Sequence, residues 1–136
     1  MNEASAKLSL ARVGAILAFL AATIFAIGLV IQMTGEDMIF PILITGGAGL
    51  SLLVGAAYLV LSSRRPVSWS AASRSGASVL KLAAIVAGLI VVISGIASLA
   101  NGPGLVTSII LILVGLQAPI AMVMAAGFIR NRPADS

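Results

Sequence analysis

Four apolar runs dominate this chain, at residues 8–33, 38–61, 79–100 and 105–129. Charge enters them only at Arg12, near the start of the first, and at Lys81, near the start of the third. A helix needs about 20 apolar residues to cross the hydrocarbon core of a bilayer. Within lipid the backbone must satisfy its own hydrogen bonds, which leaves helices and closed barrels. Barrel strands alternate apolar and polar residues, and these runs do not. The expected fold is therefore all-α: an integral membrane four-helix bundle forming a single membrane domain over residues 1–136.

Composition narrows the class further. Of the residues, 60% are hydrophobic and 9% charged, against about 25% charged in a soluble domain. So little charge could not clothe a core in water. Cysteine and histidine are both absent. That removes disulfides, thiolate and imidazole metal ligands and the commonest general base. Neither a cofactor nor a catalytic site is expected, and the chain reads as a non-enzyme. The net charge of +4 would suit nucleic acid, but the cations sit beside the apolar runs. The bilayer, rather than nucleic acid, is the expected partner.

The breaks between runs set the topology. Thr34-Gly35-Glu36-Asp37 separates the first two, with Gly35 suited to end a helix and Asp37 to cap the next. Pro41 then falls in a first turn, where its missing N–H does little harm. Asn101-Gly102-Pro103-Gly104 separates the last two and reads as a tight turn. Short connections make two helical hairpins, joined by a polar, basic loop at 62–78. The first run is too long for a cleaved leader and is expected to be retained.

Lys7, Arg12, Arg64, Arg65, Arg74, Lys81, Arg130 and Arg132 all fall on one side of such a topology, whereas Glu36 and Asp37 fall on the other. The positive-inside rule then predicts N-in/C-in, with both termini and the basic loop cytoplasmic. These cations are expected at lipid headgroups, with Arg12 and Lys81 snorkelling there. Trp69 is expected as an interfacial anchor. The Ala, Gly and Val-rich style suggests a bacterial plasma membrane.

Helices in lipid pack through small residues. Gly14, Ala18, Ala22 and Ala26 form a four-residue stripe on the first span. Gly47, Ser51 and Gly55 repeat the spacing on the second, and Gly88 and Gly95 mark the third. All are expected at helix contacts, within the chain or with another copy. Gly46-Gly47-Ala48-Gly49 lacks the Lys-Ser/Thr of a phosphate loop and reads as close backbone approach. Matches of Lys7-Leu8 and Gly14 to Lys81-Leu82 and Gly88, and of Arg65-Pro66 to Arg132-Pro133, raise a duplication of the hairpin as an alternative to chance. No acid lies at mid-depth. Gln117, two residues before Pro119, is the candidate polar site: a hydrogen bond to a neighbouring helix, or a polar group facing a cavity.

In size and span count the chain resembles the small multidrug resistance transporters. Those carry an essential glutamate in the first span, where this sequence has no acid. Tetraspanins and claudins also have four spans, but with a large cysteine-bearing outer loop that is absent here. The expected function is a non-enzymatic accessory or regulatory subunit of a membrane complex. Its partners would be other membrane proteins or copies of itself. The alternatives are a homo-oligomeric small transporter or channel and a phage-type holin or exclusion protein.

Overall fold

The computed structural model describes residues 3–34, 39–65, 68–101 and 104–131. They form four helices: α1 (Glu3–Thr34), α2 (Ile39–Arg64), α3 (Trp69–Asn101) and α4 (Leu105–Asn131). All four are long and apolar enough to cross a membrane. The residues proposed as turn and cap at 35–37 and the cation Arg132 lie outside the described residues. Pro41 is the third residue of α2, where a missing N–H leaves no bond unmade.

Contacts across the helix pairs show an up-down-up-down bundle. Gly14 of α1 lies against Ala56 and Val60 of α2, while Gly28 lies against Thr45. Gly47 meets Ile90 and Gly55 meets Leu80, so α2 and α3 also run antiparallel. Gly95 meets Ile112 and Gly115 meets Val91, which sets α4 antiparallel to α3. The starts of α1 and α3 and the ends of α2 and α4 therefore share one end of the bundle. Helix α2 is the most buried of the four. Half of its most apolar window is buried, against 28% for each of the rest.

The contact face of α1 runs through Leu10, Gly14, Leu17, Ala21, Ile24 and Gly28, all buried. The expected stripe departs from it. Gly14 is in tight contact and Ala18 is half-buried, but Ala22 and Ala26 face outward. The reason is geometric. With 3.6 residues per turn, a strict four-residue step drifts about 40° each time. The burial pattern alternates steps of three and four instead and stays on one face.

Close approach is real at most of the other expected positions. A Cβ added at Gly47 would lie 2.5 Å from Ile90 Cγ2, one at Gly55 2.9 Å from Leu80 Cδ2, and one at Gly95 2.5 Å from Ile112 Cγ1. Ser51 is half-buried and donates to the Gly47 carbonyl at 2.9 Å. Gly88 has room to spare, since its nearest neighbour would be Pro119 Cβ at 4.0 Å. Gly14 and Gly88 thus hold differently packed places despite their matching sequence positions.

Helix α3 begins at Trp69, well inside the stretch expected as loop. Ser68 starts it: its hydroxyl accepts from the Ala71 N–H at 3.2 Å and its carbonyl accepts from the Ala72 N–H at 2.9 Å. Trp69, Ala72, Gly76, Ala77 and Leu80 are buried at helical spacing. Trp69, expected at an interface, is only 3% exposed and belongs to the core. Small residues here pack a helix closely, whereas their polarity suggested a loop.

Between α3 and α4 the buried hydroxyls of Ser98 and Ser108 lie 2.6 Å apart, and either can donate. Ser98→Ala is expected to cost about 1 kcal/mol by leaving Ser108 unpaired. The double Ser98→Ala/Ser108→Ala variant should cost less than the two single variants summed. Thermal unfolding in mild detergent checks this, and strict additivity would show that the pair does not interact. Gly104 precedes α4 at φ 128° and its carbonyl accepts from the Ser108 N–H at 3.0 Å. Gly104→Ala, forced into a conformation that disfavours a Cβ, is expected to lose about 1–2 kcal/mol in the same assay.

Candidate functional site

The outer surface of the bundle is apolar on every helix. Ile16, Phe19, Leu50, Val54, Leu82, Ile93, Leu113 and Met124 are among its exposed side chains. A soluble monomer rarely exposes contiguous apolar patches beyond a few hundred Å². What such a surface can do depends on the polar groups that interrupt it.

Most polar side chains within the helices are satisfied locally. Thr23 donates to the Phe19 carbonyl at 3.0 Å, and Thr45 donates to that of Pro41. The Tyr58 and Ser75 hydroxyls pair at 2.6 Å across α2 and α3. These are the bonds expected where no water competes.

Gln117 differs. It sits near the middle of α4, roughly 18 Å from its start and roughly 21 Å from its end. It points away from the bundle, and its amide joins none of the side-chain hydrogen bonds among the described residues. Among the described residues it bonds no neighbouring helix. Leu113, Ile120 and Met124, at i−4, i+3 and i+7, share its outward ridge and are all exposed. Pro119 is half-buried and supplies no N–H, so the Gly115 carbonyl lacks its usual partner in the helix.

Two apolar grooves run along the outside between α2 and α3. One, of about 560 Å³, is lined by Gly46, Gly47, Leu89 and Ile93; the other, of about 300 Å³, by Leu50, Val54, Leu82 and Val86. The Gly46–Gly49 cluster builds this region: Gly47 admits Ile90, Gly49 admits Phe25, and Gly46 opens onto the groove.

The cations gather at one end. Arg12, Arg64, Arg65, Arg74, Lys81 and Arg130 are all exposed there. Three of them, Arg74, Lys81 and Arg130, also line a single cavity with Ala77 and Ser78. Sequence order placed Arg74 and Lys81 beside one loop and Arg130 at a terminus. Only the antiparallel seating of α4 on α3 unites them. Sequence reasoning also missed the packing roles of Gly28 and Gly76. The glycines themselves were the available signal, although they do not repeat at a fixed step.

No family model matches the chain, and neither does any curated protein or solved structure.

Proposed function

We propose that this chain is a multi-pass plasma-membrane protein with both termini cytoplasmic. We propose further that it serves as a non-enzymatic accessory or regulatory subunit of a membrane complex. The observation that carries this reading is Gln117. The bundle leaves one amide on an apolar ridge at mid-helix. In hydrocarbon an amide without a partner is costly, and interhelical hydrogen bonds are what polar residues supply there. The fitting partner is a transmembrane helix of another protein, with a hydroxyl or amide at the same depth. Leu113, Ile120 and Met124 would pack around that bond.

The test is mild-detergent purification of the tagged chain from its native membrane. A stoichiometric foreign membrane protein is expected, and Gln117→Leu should reduce its recovery several-fold. A clean homo-oligomer without a foreign partner would sink the subunit reading. The self-complementary Gln117 amide would then favour the transporter or channel reading, and flux measurements would follow.

Orientation has its own test, because the chain contains no cysteine. Single cysteines at Ser68 and Asn101 lie at opposite ends of α3. A membrane-impermeant maleimide on intact cells is expected to label the Asn101→Cys variant and to spare the Ser68→Cys variant. The reverse pattern would invert the topology.

A further inference from the structure

We propose that the end of the bundle where α3 begins and α4 ends binds one anionic phospholipid, its phosphate held by Arg74, Ser78, Lys81 and Arg130. This rests on the membrane-spanning reading above and adds a defined ligand site to it.

Arg74, Ser78 and Lys81 stand at i, i+4 and i+7, which places them on one face of α3. Arg130 comes from the last turn of α4. With Ala77 they line a cavity of about 260 Å³ that contains no carboxylate among its lining residues. Three like charges around one cavity repel, and a bound anion converts that repulsion into attraction. The chemistry suits phosphate in particular. Arginine offers a planar fork to its oxygens, lysine a point charge and serine a hydroxyl donor.

The neighbouring surface separates a lipid from a free anion. Toward the middle of the bundle the same two helix faces turn apolar. The Lys81 face continues through Ile85 and Val92, and the Arg130 face through Val123, all exposed. An acidic headgroup with hydrocarbon chains matches both halves, whereas inorganic phosphate would use only the cavity. Three cations also exceed the single charge of one phosphodiester. A headgroup with two phosphates should therefore bind more tightly than one with a single phosphate, and a zwitterionic headgroup least of all.

The full chain, extracted in neutral detergent, is titrated with cardiolipin, phosphatidylglycerol and phosphatidylcholine, and bound lipids are counted by native mass spectrometry. The expected affinity order is the order in which those lipids are named. Lys81→Gln and Arg130→Gln should each weaken cardiolipin binding about tenfold. Arg130→Lys should retain most of it. Arg12→Gln, an exposed cation at the same end but outside the cavity, should change nothing. Circular dichroism confirms that each variant keeps its helices. Equal losses from Arg12→Gln and Arg130→Gln would overturn the proposal in favour of diffuse attraction. Displacement of cardiolipin by equimolar inorganic phosphate would overturn it in favour of a free-anion site. An alkaline carbonate wash separates the two levels of the argument. Release of the chain would refute the membrane reading itself, whereas a retained chain whose Arg130→Gln variant binds like wild type would refute only the site.

Discussion

Gly115→Leu is expected to destabilise the bundle by about 3 kcal/mol. A Cβ at this position would lie 2.8 Å from Val91 Cγ2 on α3 and 2.9 Å from Ile44 Cγ2 on α2. Both neighbours are β-branched and have one strongly preferred rotamer in a helix, so neither can swing aside cheaply. Helix α4 would have to lift from two partners at once. Gly127, on the same helix, is the control: a Cβ there meets nothing within 4 Å. Gly127→Ala should be neutral or stabilising by up to about 1 kcal/mol through helix propensity. Thermal unfolding in mild detergent, followed by Trp69 fluorescence, compares the two. Equal midpoints would show that α4 is not seated as described. The functional consequence follows from position, because displacing α4 moves both the Gln117 ridge and Arg130.

Trp69→Ala should remove about 3–5 kcal/mol. The indole is almost wholly buried at the first residue of α3, where the helix has no preceding turn to support it. Without it, the first turns are held by the Ser68 cap, by the small residues Ala72 and Gly76, and by the Tyr58–Ser75 bond. Amide hydrogen exchange over residues 69–78 should accelerate in this variant, while 85–98 should remain protected. Trp69→Phe should recover most of the loss. Because Arg74 lies in the affected turns, lipid retention should fall together with protection. Wild-type exchange over 69–78 in Trp69→Ala would show that the indole does not anchor this end.

The two variants probe different kinds of information. The number of helices was legible in the apolar runs, because length and hydropathy suffice for that, but α3 starts at Trp69, ten residues ahead of its run, and the expected loop at 62–78 shrinks to 65–68. The sidedness of the cations was legible as well, since an even count of antiparallel helices carries alternate connections to the same end. Trp69 to Ser78 was not legible as helix. Its serines and arginine looked like loop in isolation, whereas Leu59 and Tyr58 of α2 supply the surface against which Gly76 and Ser75 pack.

Facing was the larger gap. In a water-soluble helix the polar side reveals the outside, so periodicity identifies the core. Here the outside is as apolar as the inside, and Ala22 and Ala21 look alike although one faces out and the other is buried. Steric fit between helices, rather than hydrophobicity, made that choice. It turned Gln117 outward, seated Gly115 between Val91 and Ile44, and brought Arg130 to Arg74 and Lys81. By itself the sequence determined four long apolar helices and the end at which their charge collects. Only the tertiary structure decided which residues of those helices meet, because close packing depends on the shapes of neighbours that lie far apart along the chain.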